Sequence, residues 1–278
     1  MNARQVRRAP GVASGGTPAA RFRVAVTRDE PSDGDLSRAL RDAGLEPVLC
    51  PAVVTLPPRD AAPLARASRA LESFDWLIAA SARAVAALMS ARAGEPLPAA
   101  LRAAGVGAAT ATALERAGAR AILTALEPGA AALELRLREA DVWPGRRVLL
   151  PRAEEGRPDI ALALRELGAR VDEVVAYRTV ARPAADIARE WQAARADAAI
   201  VASPSAAEAL VRALGARALE DLAVVAIGRT TAGRLETLGV LCDVSPDAGF
   251  VPAAACVREA LLRLETRAAR GHGAGGSR

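Results

Sequence analysis

The feature that most constrains this chain is that it repeats itself. Asp75-Trp-Leu-Ile-Ala-Ala-Ser81-Ala-Arg-Ala-Val-Ala-Ala-Leu88 returns as Asp197-Ala-Ala-Ile-Val-Ala-Ser203-Pro-Ser-Ala-Ala-Glu-Ala-Leu210, an offset of 122 (203 − 81). Val106-Gly107-Ala-Ala-Thr110-Ala-Thr-Ala-Leu114 returns as Ile227-Gly228-Arg-Thr-Thr231-Ala-Gly-Arg-Leu235, an offset of 121 (228 − 107). Arg23-Val-Ala-Val-Thr-Arg28 returns as Arg147-Val-Leu-Leu-Pro-Arg152, an offset of 124 (152 − 28). An alanine-rich chain produces chance matches easily. Serine, glycine, threonine and arginine recurring in one order at nearly one spacing mark a duplicated unit.

Each block reads as a short buried strand, a small-residue turn and a helix. Val24–Thr27, Trp76–Ala80, Val148–Leu150, Ala198–Ala202 and Val224–Ile227 are brief apolar runs, as expected of parallel strands covered on both faces. Helical patterns follow at Asp35–Ala43, Ala84–Ser90, Asp159–Leu167 and Ala206–Ala213, and several stop at a glycine such as Gly44, Gly168 or Gly215. Strand–helix alternation gives an α/β fold of two Rossmann- or flavodoxin-like parallel-sheet domains. Two segments break the alternation: Pro47–Thr55 and Val171–Val180 are extended, β-branched and followed directly by no helix. They read as crossovers that together form a two-stranded β hinge.

Composition narrows the function. At 278 residues with 51% hydrophobic residues the chain can build two cores, while 3% aromatics leave little for stacking surfaces. It has no lysine, so its formal charge of +5 rests on arginine, part of it at the ends (Arg4, Arg7, Arg8, Arg267, Arg270, Arg278). A mildly basic body without zinc-finger, helix-turn-helix or aromatic–arginine patterns points to a small anion and away from nucleic acid. No apolar run reaches membrane length. The Arg-, Gly- and Ala-rich residues 1–20 lack a signal-peptide core and read as a disordered extension, and 266–278 as a disordered tail. Cys50, Cys242 and Cys256 are widely spaced and fit free thiols in the cytoplasm. The single histidine, His272, lies in that tail, so a histidine base, a catalytic triad or a histidine-ligated metal finds no residue in the body of the chain.

In open parallel sheets ligands bind beyond the carboxyl ends of the strands, where loops enter helices. Both repeats place hydroxyls there: Ser81 and Ser203 after one strand, Thr110 and Thr231 in the glycine loop after the next. Helix N-termini at these points receive carboxylate or phosphate through backbone N–H groups, although serine and threonine also serve there simply as caps. Arg28 and Arg152 end equivalent strands, and Arg157 follows in a Gly-Arg-Pro turn, placed to clamp carboxylates. Gly105-Val-Gly107 with Glu127 resembles half of a dinucleotide fingerprint, but the third glycine is missing and the second copy has no G-x-G. Tyr177, the only tyrosine, lies on a crossover and is one of few groups able to handle a proton.

The ordered set Val-Thr-Arg28, Asp75-Trp-Leu-Ile with Ser81, Val106-Gly107 with Thr110, Leu150-Pro-Arg152 with Gly-Arg157-Pro, Tyr177-Arg-Thr179, Ser203-Pro-Ser205, and Ile227-Gly228 with Thr230-Thr231 resembles the uroporphyrinogen-III synthase family. The resemblance runs from about Arg23 to Leu264. It implies one lobe of 21–46 plus 182–265 and another of 57–170, with 47–56 and 171–181 as the hinge, whereas the repeats alone would divide the chain near residue 145. It further implies a monomeric cytoplasmic lyase of tetrapyrrole biosynthesis that uses no cofactor. Its substrate would be the linear tetrapyrrole hydroxymethylbilane, with transient contacts to neighbouring enzymes of the pathway. By the family's motifs Tyr177 would be catalytic, and Arg28, Ser81, Thr110, Arg152, Arg157, Ser203, Ser205, Thr230 and Thr231 would bind substrate. Arg229 departs from the family, which usually has proline after that glycine. The competing reading is a two-lobed cytoplasmic module that senses a small anion without chemistry.

Overall fold

A computed structural model of the chain describes residues 22–125, 130–247 and 249–273. The expected N-terminal extension and Glu127 lie outside them. The first strand–helix unit is β1 (Arg23–Val26) and α1 (Asp35–Asp42), followed by β2 (Glu46–Leu49) and β3 (Val53–Leu56). Next come α2 (Ala62–Arg69), β4 (Trp76–Ala79), α3 (Ala82–Ala91), β5 (Arg102–Gly105), α4 (Ala108–Arg116), β6 (Ile122–Thr124) and α5 (Ala130–Ala140). The second half holds β7 (Arg147–Ala153), α6 (Asp159–Glu166), β8 (Arg170–Ala181), α7 (Ala184–Ala194) and β9 (Ala198–Val201). It closes with α8 (Pro204–Leu214), β10 (Ala223–Ala226), α9 (Arg229–Thr237), β11 (Asp243–Val244) and α10 (Phe250–Gly273). The helix α10 enters the segment expected to be a disordered tail and continues to Gly273. No helix among the described residues is long and apolar enough to cross a membrane.

Two sheets result. One has the order β11-β10-β9-β1-β2, all parallel; the other has β3-β8-β7-β4-β5-β6, parallel except for the β3–β8 pair. Strand residues alternate between faces, and both faces are covered. In β4, Leu77 and Ala79 join the core under α2, α3 and α4, while Trp76 and Ile78 join the core under α5 and α6. In β10, Ala223 and Val225 face α1 and α10, while Val224 and Ala226 face α8 and α9. This double burial is why the strands read as short unbroken apolar runs. Each fully buried aliphatic side chain contributes roughly 1.5–3 kcal/mol by removal from water.

The repeats map onto the two sheets in a crossed manner. By sequence β1 matches β7, β4 matches β9 and β5 matches β10. The order β11-β10-β9-β1-β2 therefore corresponds, strand for strand, to β6-β5-β4-β7-β8. Yet β1 and β2 sit with the late strands, and β7 and β8 with the early ones. Each sheet combines the leading unit of one repeat with the remainder of the other.

The two extended segments divide at this crossing. Residues 46–49 are an edge strand beside β1, and the chain turns at Cys50-Pro51-Ala52 before β3. The strand β8 pairs in parallel with β7 from Arg170 to Tyr177, then antiparallel with β3 from Arg178 to Ala181. Only the short β3–β8 ladder is antiparallel.

Candidate functional site

Strand order places the site. In one sheet successive strands run outward from the β1/β9 pair, and in the other from the β4/β7 pair, so loops leave in opposite directions and open a crevice at each. Thr27 and Arg28 follow β1, Ser203 follows β9, Ser81 follows β4, and Arg152 lies at the end of β7.

The repeated serines are structural twins. Ser81 (φ −159°, ψ 153°) and Ser203 (φ −159°, ψ 156°) each cap a helix, accepting from Ala84 N and Ala206 N at 3.2 Å. Ser203 also pairs with the Ser205 hydroxyl at 3.1 Å. Thr110 and Thr231 are buried in the first turns of α4 and α9, and Thr230 is exposed beside its neighbour. None of α3, α4, α8 and α9 carries an acid in its first turn, so four positive helix ends are left without a fixed anion. The G-x-G has a packing explanation: a Cβ on Gly105 would meet Thr110 Cγ2 at 3.0 Å, and Gly107 starts α4 from φ +80°.

Tyr177 is placed by a bulge. Arg152 pairs with Val175 but Ala153 pairs with Tyr177, leaving Ala176 as an extra residue in β8. In a regular strand Ala176 and Tyr177 would point to opposite faces; here both pack against the core under α3. The tyrosine hydroxyl consequently meets the Ser81 hydroxyl at 3.1 Å.

Beside this pair lie three residues the sequence reading did not select. Arg83, in the first turn of α3, donates to the Asp29 carbonyl beyond β1 at 2.8 Å and so spans the two sheets. The Asp29 carboxylate accepts from Thr55 N on β3 at 2.8 Å, while the Thr55 hydroxyl is buried without a partner. Arg83 has no ion pair among the described residues, and Arg28 is its electrostatic neighbour. Burial first, then Arg83, lowers the Arg28 pKa, and Glu30 lies 3.4 Å from its Nε. Arg28 also covers the Phe250 ring at 4.6 Å. Arg83 occupies the repeat position where the second copy has Ser205 (83 + 122 = 205), so a difference between the repeats is the signal that could have found it.

Two cavities share Asp29 and Arg83. One of about 410 Å³ adds Arg28, Glu30 and Arg38. The other, about 510 Å³, runs between β3, the start of α2, α3 and β8, with Tyr177 in its wall. Arg152 and Arg157 stand apart from both. Arg152 binds Glu173 at 2.7 Å and three backbone carbonyls, those of Ala153, Glu154 and Gly156. Arg157 is exposed, 3.3 Å from Asp159.

A family model described as uroporphyrinogen-III synthase HemD matches residues 34–253. The chain belongs to the uroporphyrinogen-III synthase family. A uroporphyrinogen-III synthase of Synechococcus elongatus is 35% identical over 162 residues, 56% of this chain and 60% of that protein's length. Two solved members share the fold. A mutant uroporphyrinogen III synthase of Thermus thermophilus has a TM-score of 0.56 at 22% identity, over 87% of this chain and 99% of its own. The synthetase of Helicobacter pylori has a TM-score of 0.55 at 18% identity, over 88% and 99%. The family match covers every strand except β1, and the whole β3–β8 ladder.

Proposed function

We propose that this protein is a uroporphyrinogen-III synthase, a lyase that cyclises hydroxymethylbilane with inversion of ring D and loss of water. The observation that carries the reading is the placement of the one tyrosine. A bulge turns Tyr177 onto Ser81 at the carboxyl edge of the sheet, in one cavity with Arg83, which neighbours Arg28 in the adjoining one, within a chain matched to the family over 34–253. The substrate has eight carboxylates, and the site offers two arginines and helix N-termini without acids to receive them.

Ser81 already accepts from Ala84 N, so its own proton can go to the tyrosine oxygen, leaving the phenol proton for the substrate. Tyr177 donates to the terminal hydroxyl as the carbon–oxygen bond breaks and water leaves. The substituted carbon of ring D then attacks the resulting electrophile, and a spiro intermediate rearranges and closes. The proton lost when ring D regains its aromaticity balances the one donated. The protein works as a cytoplasmic monomer and meets neighbouring enzymes of the pathway transiently. Arg28 binds substrate directly, as do Thr110, Thr231, Thr230, Ser203 and Ser205 at the helix ends, and Arg157 at the rim.

The test is incubation with enzymatically made hydroxymethylbilane, oxidation of the products and separation of the isomers. An excess of isomer III is expected. Isomer I alone, with saturable substrate binding, would instead favour the anion-sensing module.

A further inference from the structure

The bulge that turns Tyr177 to Ser81 has to be held. Before it, paired residues of β7 and β8 differ by 23, Arg152 facing Val175 (175 − 152); after it they differ by 24, Ala153 facing Tyr177 (177 − 153). Without the extra residue Tyr177 would share the face of Glu173 and Val175, turned away from Ser81. A bulge disrupts the ladder locally, and Arg152 gathers the carbonyls of the turn beside it. Its Nη1 donates to the Ala153 and Gly156 carbonyls at 3.1 Å and to that of Glu154 at 3.4 Å. The same turn is tied to the tyrosine's own backbone, where Glu154 N donates to the Tyr177 carbonyl at 2.9 Å.

Arg152 is itself held in place. Its Nε donates to Glu173 Oε2 at 2.7 Å, a diagonal cross-strand pair on one face of the sheet. Arg165 on α6 takes the other oxygen of Glu173 at 2.8 Å. The Arg152 and Glu173 side chains are mostly shielded from water, and the planar guanidinium spends its fork on a carboxylate and on the turn at once. Neither residue lines the cavities that hold Tyr177 and Arg28. Arg147 and Asp172 join the same two strands near their amino ends, at 3.1 Å and far more exposed, with no turn to grip.

We infer that Glu173 and Arg152 are positioning residues for the Tyr177 hydroxyl, an inference that rests on the proposed synthase reading. They touch no reacting atom. Glu173 orients the guanidinium, the guanidinium fixes the turn at 153–156, and the turn keeps β8 in the shifted register that aims the phenol at Ser81.

Arg152→Ala should lower kcat for hydroxymethylbilane by about tenfold, part of the loss that removing the acid itself brings, with KM near wild type. Glu173→Gln should lower kcat less, in the same direction; it keeps the shape of the pair and serves if Arg152→Ala does not fold. The decisive comparison is made in a Tyr177→Phe background. There Arg152→Ala should cost no further kcat, because the hydroxyl it positions is gone. Since Tyr177 is the only tyrosine, protein made with carbon-13 tyrosine gives one set of ring signals. In the wild type these should show a nuclear Overhauser contact to the Ser81 methylene. In Arg152→Ala and Glu173→Gln that contact should weaken and the ring signals broaden or split. Asp172→Asn cuts the other arginine pair between the same strands and should change neither kcat nor the signals. An unchanged Ser81 contact in both variants, wild-type kcat in both, or an equal loss of kcat with and without the phenol would each overturn the inference. Isomer I alone from the wild type refutes the synthase reading, and the tyrosine signals still show, without substrate, whether the pair holds the ring.

Discussion

Arg152 shows how a residue's position and its employment come apart. With no lysine available, arginine must serve both as structural brace and as anion receptor. Arg152 stands at a strand end, where a carboxylate clamp would stand, but its guanidinium is filled by Glu173 and three carbonyls, with its side chain 23% exposed. Arg152→Ala is therefore expected to cost about 1–3 kcal/mol of stability in a denaturant titration, with KM for hydroxymethylbilane close to wild type. A large rise in KM at unchanged stability would return Arg152 to the binding site. Tyr177 makes the opposite case. In the proposed mechanism its proton assists departure of the terminal hydroxyl, and general acid assistance is typically worth about 10²–10⁴-fold. Tyr177→Phe should lower kcat by about 10²-fold, the low end, because the substrate's own carboxylates are rival donors. KM and the melting temperature should hold. A fully active variant would reduce the ring to packing.

At the level of elements, the short strands and their helices were legible because double burial writes itself as brief apolar runs between glycines. The repeats even foretold the paired caps at Ser81 and Ser203. The bulge at Ala176 was not legible, because it depends on registering β8 against β7, 23 residues away in sequence before the bulge (175 − 152) and 24 after it (177 − 153). Nor was the use of Arg83, whose partner Asp29 arrives from the other sheet. The junction of β8 and α7 shows another contact that only tertiary structure brings about. Arg182 donates to both Glu190 oxygens at 2.6 and 2.7 Å and to the Pro51 carbonyl at 2.9 Å. The hydrogen bond from Arg182 is the main reason the Glu190 pKa lies below its ordinary 4.5. A carboxylate depressed in the folded state contributes stability above its unfolded pKa and loses it as pH falls through the lower folded value. Glu190→Gln should thus cost about 0.5–1 kcal/mol at neutral pH, given the partial exposure of the pair. The deficit should begin to shrink as pH falls below about 4.5 and disappear once pH is below the lower folded value, and paired urea titrations would measure it. An equal deficit at acid pH would show that the charge is irrelevant.

For the whole molecule, the crossed duplication has a mechanical consequence. Because β1 and β2 join the sheet of β9, β10 and β11, the chain must cross between sheets twice, around 50–52 and again at 178–183. Backbone bonds from Ala52 N to the Thr27 carbonyl (2.8 Å) and from Arg182 N to the Ala52 carbonyl (3.0 Å) hold the two crossings side by side. Beyond them, Thr55 N donates to the Asp29 carboxylate at 2.8 Å, and Arg83 on the Asp29 carbonyl adds a single hydrogen bond with its charge unpaired among the described residues. Such a contact is worth about 0.5–3 kcal/mol at most, small enough for a substrate carboxylate to replace it. We expect the two sheets, each with its helices, to move as rigid bodies about the paired crossings. Small-angle scattering should show a smaller radius of gyration with saturating uroporphyrinogen III than without. Arg83→Ala should broaden the free profile toward more open forms, since it removes a contact between the sheets, and should raise the ligand concentration needed for compaction, since it also removes a receptor for a substrate carboxylate. Identical wild-type profiles with and without ligand would mean that the crevice is already set in its working form, and the tetrapyrrole would then have to fold to fit a rigid site.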